Sequence, residues 1–244
     1  MSSILVVRDF DDFSRVLQEN GFETINCPTI KTVPLEDLSE FENVLNGLKN
    51  YDGIFLTSAI ASEIFRCKLN EKALNYSGRV YVLGEKSYDV LRNEKMDLVF
   101  DKSHNRAIEM LEAIPIEMLE NKRFLFVRGD KSLRVIPEYL RKFAAVEETI
   151  VYRTVNITIA DEKRGEIAGK FSRNDINCAC FFSPSGAESF IEQFGAPVLE
   201  ETKIAVIGKT TADYFEKRDL RVVFISKSAS AKDYAFELIK YLKN

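Results

Sequence analysis

One short stretch occurs twice in this chain, and no other feature limits the possible folds as much. The later copy runs Cys178-Ala179-Cys180-Phe181-Phe182-Ser183-Pro184-Ser185-Gly186-Ala187-Glu188 and on to Phe190. The earlier copy runs Gly53-Ile54-Phe55-Leu56-Thr57-Ser58-Ala59-Ile60-Ala61-Ser62-Glu63 and on to Phe65. Ser183 minus Ser58, Glu188 minus Glu63 and Phe190 minus Phe65 each give 125. A second pair, Val80-Tyr81-Val82-Leu83-Gly84-Glu85-Lys86-Ser87 and Ile204-Ala205-Val206-Ile207-Gly208-Lys209-Thr210-Thr211, follows at 124, from Gly208 minus Gly84. A third, Leu5-Val6-Val7-Arg8-Asp9 and Leu125-Phe126-Val127-Arg128-Gly129, is offset by 120. Three matched segments in one order mark a duplicated unit, in which apolar strands run into polar turns.

At 244 residues, with 45% hydrophobic and 30% charged residues, the chain suits two ordinary globular domains. No window reaches the run of about 18 apolar residues that a membrane span needs, and Met1-Ser2-Ser3-Ile4 lacks the layout of a signal peptide. These features predict a cytoplasmic protein without a membrane partner. The net charge of −4 is spread in both signs with no Lys/Arg-rich run, which argues against nucleic acid. His104 is the sole histidine, so a histidine triad or histidine metal site has no support and no metal is expected. Cys27, Cys67, Cys178 and Cys180 show no C-x-x-C spacing and read as reduced packing residues.

In chain order, Ile4–Arg8 reads as a buried parallel strand and residues 11–20 as a helix stopped at Asn20-Gly21. Residues 22–34 hold two prolines and read as an extended connector, and 35–49 as a helix. From Ile54, strands alternate with short helices to Phe143, with Pro115 interrupting the helix over 106–119. The stretch 147–159 alternates strongly and matches the earlier connector in place. Helices over 161–171 and 210–217, strands over 176–182 and 222–225 and a closing helix complete the pattern. Such alternation predicts parallel βαβ units.

In an open parallel sheet, ligands sit beyond the C-terminal strand ends, where turns expose N–H groups and helices begin. Arg8, Ser58, Gly84, Arg128, Ser183 and Gly208 all follow their apolar runs there. Ser185 to Glu188 has capping-box spacing, with weaker versions at Thr210 to Asp213 and Ser230 to Asp233. Capping needs one hydroxyl; Gly186 and Gly208 would also let a ligand approach the backbone. Neither glycine pattern is G-x-G-x-x-G or a P-loop, so a nucleotide is not indicated.

The ordered set Arg8, Leu56-Thr57-Ser58, Gly84, Val151-Tyr152, Phe182-Ser183-Pro184-Ser185-Gly186 and Ile207-Gly208-Lys209-Thr210-Thr211-Ala212 resembles the uroporphyrinogen-III synthase family over nearly the whole chain. The resemblance implies an α/β protein of two related flavodoxin-like parallel-sheet lobes joined by a two-stranded β connector. It places 1–31 with 155–244 in lobe one and 32–154 in lobe two, with connectors near 22–34 and 147–159. Duplication alone allows tandem halves split near Asn121 equally well.

The resemblance further implies a monomeric, cofactor-independent enzyme that cyclises hydroxymethylbilane, with inversion of one pyrrole ring and loss of water. Tyr152 matches the family's cleft tyrosine and is the expected acid, a phenol being protonated at neutral pH. Arg8, Ser58, Gly84, Ser87, Arg128, Ser183, Ser185, Gly186, Gly208, Lys209, Thr210 and Thr211 are the expected substrate contacts. Ser87 stands where the family usually has threonine, and Ala59 where it has proline. The rival reading is a non-catalytic two-domain module that binds an anion or small molecule.

Overall fold

The computed structural model describes residues 3–104 and 106–243. The strands are β1 Ser3–Val6, β2 Glu23–Asn26, β3 Ile30–Pro34, β4 Gly53–Leu56, β5 Arg79–Val82, β6 Asp97–Val99, β7 Arg123–Gly129, β8 Ala145–Asn156, β9 Ile176–Phe181, β10 Lys203–Val206 and β11 Val222–Ile225. The α-helices are α1 Asp12–Glu19, α2 Ser39–Asn46, α3 Ala59–Glu71, α4 Glu85–Leu91, α5 Ala107–Glu112, α6 Val135–Leu140, α7 Asp161–Ser172, α8 Pro184–Phe194, α9 Lys209–Glu216 and α10 Ala231–Lys243. None of these helices is long and apolar enough to cross a membrane.

The chain divides into two compact units, Met1–Lys31 with Val155–Asn244, and Thr32–Thr154. The first holds a five-stranded sheet in the order β11-β10-β9-β1-β2, and the second a six-stranded sheet in the order β3-β8-β7-β4-β5-β6. Within the first sheet β1 pairs in parallel with both β2 and β9, which places the N-terminal strand among the C-terminal ones. Both points at which the chain passes from one unit to the other lie in β3 and β8, neighbours in one sheet. Ile157 N–H donates to Thr29 C=O and Leu35 N–H to Val151 C=O, so these two run antiparallel. The residues 22–34 are therefore not one connector: β2 closes the edge of the first sheet, and only β3 reaches the second.

Strand periodicity of two sends alternate side chains to opposite faces of each sheet. In the first unit Leu5, Val7, Ala179 and Phe181 face one core. Ile4, Val6, Cys178 and Cys180 face the other, against α1 and α10. The thiols of Cys178 and Cys180 lie 4.0 Å apart, buried and unbridged. In the second unit Leu125 and Val127 face one core while Phe124 and Phe126 face the other. Helices cover both faces, which accounts for apolar runs that do not alternate with polar residues.

Candidate functional site

Sheet register brings the turns of each unit to one edge. In the first unit Val6 aligns with Cys180 and Cys180 with Ala205, so Arg8, Phe182 and Ile207 each lie two residues beyond one row. In the second, Leu56 aligns with Val82 and with Val127, placing Ser58, Gly84 and Gly129 two residues beyond their row. Gly129 is in turn the partner of Tyr152. Each unit thus carries one polar C-terminal rim.

Ser58 and Ser183 do the same work in both units. Ala61 N–H donates to Ser58 Oγ at 3.3 Å, and Gly186 N–H to Ser183 Oγ at 3.1 Å, capping α3 and α8. The capping box starting at Ser185 does not form, because Pro184 fits the first helical position and starts α8 two residues earlier. Ser185 instead lies with its hydroxyl 3.2 Å from that of Ser183. Thr210 likewise sits inside α9, whose cap is Gly208, while Asp213 ion-pairs with Lys209 at 2.7 Å. The third spacing forms only half of a box: Asp233 N–H donates to Ser230 Oγ at 3.4 Å, while Ser230 N–H donates to Ser228 Oγ at 3.1 Å and not to Asp233.

The glycines divide. Gly84 has φ +86, a left-handed conformation that L side chains avoid, and caps α4 with nothing near its missing side chain. Gly208 has φ −178, ordinary extended backbone, and also has open space around it. Gly186 is different: it is buried, its C=O accepts from Thr29 Oγ1 at 2.9 Å, and Ile30 Cδ1 would lie 3.7 Å from a Cβ there. Gly186 thus has both its N–H and its C=O engaged within its own unit and is not exposed at the rim as the sequence suggested.

Two hydroxyls expected on the rim are inside. Ser87 and Thr211 occupy matching positions in the first turns of α4 and α9, and each is 3% exposed. A third helical residue points back over its own turn toward the sheet, which leaves Thr210 as the exposed hydroxyl of the pair.

The cations are engaged as well. Arg8 lies over the Phe182 ring at 4.4 Å and pairs with Asp11 at 3.0 Å. Lys209 holds Asp213 and, at 3.4 Å, Glu216; the Asp213 carboxylate raises its pKa above the ordinary lysine value. Arg128 is only 12% exposed and donates from Nε to Glu148 at 2.8 Å and from Nη1 to Gly129 C=O at 2.8 Å. It braces its own turn and is not a free partner for a substrate carboxylate. Glu148, missed by sequence reasoning, also receives Arg134 at 2.9 Å and Arg141 at 2.8 Å. Its signal was a pair of carboxylates, Glu147-Glu148, inside a predicted strand.

What remains at the rims is mostly backbone. Helix geometry leaves the first N–H groups without internal partners. With the caps assigned, these are, among the described residues, Ala59 and Ile60 on α3, Glu85, Lys86 and Ser87 on α4, Ser185 on α8, and Lys209 and Thr210 on α9. They present partial positive charge without net charge. Tyr152 is half-buried, and among the described residues its hydroxyl has no hydrogen-bond partner.

A family model described as Uroporphyrinogen-III synthase HemD matches residues 11–235. The chain belongs to the uroporphyrinogen-III synthase family. The protein named uroporphyrinogen-III synthase from Chlorobaculum parvum is 27% identical, with the alignment covering all of both chains. The one of that name from Schizosaccharomyces pombe is 22% identical over 95% of this chain and 92% of its own. Among solved structures, a mutant uroporphyrinogen III synthase from Thermus thermophilus superposes with a TM-score of 0.62 at 14% identity, covering 99% of each chain. Uroporphyrinogen-III synthetase from Helicobacter pylori superposes with the same TM-score at 19% identity, over 99% of this chain and 100% of that one. At such identities the structural likeness establishes the two-lobed α/β fold of the family, and the activity is argued from the site.

Proposed function

We propose that this chain is a uroporphyrinogen-III synthase: it cyclises hydroxymethylbilane, with inversion of the terminal pyrrole ring and loss of water, to uroporphyrinogen III. The observation that carries this reading is the family match across residues 11–235. The reading needs no cofactor and takes the protein as a cytoplasmic monomer.

The substrate bears eight carboxylates, whereas the protein has a net charge of −4. Bulk electrostatics therefore repels what the site must hold, and short-range donors have to overcome it. Amides at helix starts do this without adding a charge that would need burial. Ser58 and Ser183 support that grip by fixing where the helices begin, and Ser185 adds a hydroxyl beside that of Ser183. Gly84 and Gly208 leave room above the amides next to them, and Thr210 adds an exposed hydroxyl. Arg8 and Lys209, already paired, tune the local potential more than they bind.

Loss of the hydroxyl group gives a cation stabilised by its own pyrrole, and the free bilane closes spontaneously to the uninverted isomer. The protein's main task is thus to dictate the conformation in which the ends meet, a problem of positioning. Tyr152 assists by donating a proton to the departing hydroxyl. The test is incubation with freshly prepared hydroxymethylbilane followed by separation of the porphyrin isomers. The inverted isomer should dominate, at a rate above the spontaneous one; only the uninverted isomer at the spontaneous rate would end the proposal.

A further inference from the structure

The ladder between β7 and β8 advances one residue per step from Arg123 opposite Ala145 to Arg128 opposite Ile150, and then skips. Gly129 is opposite Tyr152, so Val151 is the extra residue of a bulge. Val151 is fully buried in the core, and its C=O accepts from Leu35 N–H at 3.0 Å. The bulge swings the next side chain, Tyr152, onto Gly129. A Cβ on Gly129 would overlap Tyr152 Cε2 and Cζ and would stand 2.8 Å from its hydroxyl oxygen. Non-bonded carbons meet at about 3.5 Å or more, so no residue larger than glycine fits under that ring. Gly129 is not among the residues with positive φ, and its lack of a side chain therefore serves space, not backbone conformation.

The turn after Gly129 fastens the same tyrosine from its backbone. Asp130 N–H donates to Tyr152 C=O at 3.1 Å, and Asp130 Oδ1 accepts from Thr154 N–H at 2.9 Å and Lys131 N–H at 2.8 Å. Gly129 N–H donates to Ser132 Oγ at 3.1 Å, while Arg128 Nη1 donates to Gly129 C=O at 2.8 Å. The two bonds that join Asp130 to Tyr152 and Thr154 thus hold the turn against β8. The related strand of the first unit carries Asp9 at this point, with neither the glycine nor a tyrosine beside it.

We propose that Gly129, with Asp130, is a positioning residue: it leaves the gap that the Tyr152 ring occupies and fixes the phenol at one place on the rim. This rests on the reading of Tyr152 as the acid. Gly129→Ala should lower kcat on the order of 100-fold, the cost of displacing a reacting group by about 1 Å, with KM within about twofold. If Gly129 acts through the phenol, Gly129→Ala combined with Tyr152→Phe falls no further than Tyr152→Phe alone. A second drop of the same size in the double variant, or wild-type kcat in Gly129→Ala, would overturn the proposal. Nuclear magnetic resonance of the unmodified protein tests the seat without activity or mutation. Gly129 Hα signals shifted by the ring and cross-relaxing with the Tyr152 ring protons support it, and unshifted signals without that cross-relaxation refute it. Tyr152→Phe at full turnover with the cross-relaxation present would remove the acid assignment and leave the seat standing.

Discussion

The two units share a strand plan, with β9, β10, β11, β1 and β2 standing in one sheet where β4, β5, β6, β7 and β8 stand in the other. This makes each unit a control for its relative. Val6 pairs with Asn26, and Phe126, 120 residues after Val6, pairs with Glu148, so Asn26 and Glu148 are counterparts. In the first unit Asn26 Nδ2 donates to Arg8 C=O at 3.2 Å and to Ser14 Oγ at 2.8 Å. At the same offset from Arg8 and Ser14 stand Arg128 and Arg134, and Glu148 gathers both together with Arg141. One neutral amide does in the first unit what a carboxylate with three guanidiniums does in the second. The fold needs a polar bridge between the strand end and the helix that follows; it does not need charge. The charge belongs to the unit that holds Tyr152, where Arg128 also braces the turn under that ring.

That contrast can be broken experimentally, and the largest effect should come from the residue that only one unit has. Tyr152→Phe should lower turnover on the order of 100-fold with the thermal unfolding midpoint unchanged; unaltered turnover would show that the hydroxyl is not the acid. Next comes Glu148→Gln, which strips three guanidiniums of their shared carboxylate and should cost about 2–3 kcal/mol in denaturant unfolding. Asn26→Ala at the counterpart position should cost about 1 kcal/mol, and equal losses would erase the distinction between the units. Gly84→Ala forces a side chain into a left-handed backbone and should cost about 2 kcal/mol. The serine caps should behave alike, with Ser58→Ala and Ser183→Ala each losing about 1 kcal/mol. Smallest in stability is Gly208→Ala, expected within about 0.5 kcal/mol of the parent because neither φ nor packing demands glycine there. A raised KM for hydroxymethylbilane in that variant would sharpen the comparison by tying the open space at Gly208 to the substrate.

Much of the architecture was legible because it is written in local periodicity. Apolar runs ending in Ser58, Gly84, Ser183 and Gly208 located strands, turns and helix starts, and the constant offsets located their counterparts. The capping boxes at Ser185 and Thr210 were misread because spacing alone cannot say which hydroxyl lies at the helix boundary. Pro184 decided the first and Gly208 the second. The burial of Ser87 and Thr211 follows from their place as third residues of a helical turn, a fact that depends on where the helix begins. The Arg8–Asp11 pair is local, but the seating of Arg8 over Phe182 and the engagement of Arg128 by Glu148 were illegible, since those partners lie far away in sequence.

By itself, then, the chain's order of residues determined two copies of a parallel αβ unit and the turns that could meet a ligand, because these depend on neighbours within a few positions. Tertiary structure alone decided which cations are spent on internal carboxylates, which hydroxyls face solvent and which glycine makes room for a ring. Those outcomes hang on ladder register, and a single bulge at Val151 is enough to bring Tyr152 onto Gly129. No local pattern encodes such a one-residue slip between strands, because its energy comes from packing contacts made only after distant segments have met.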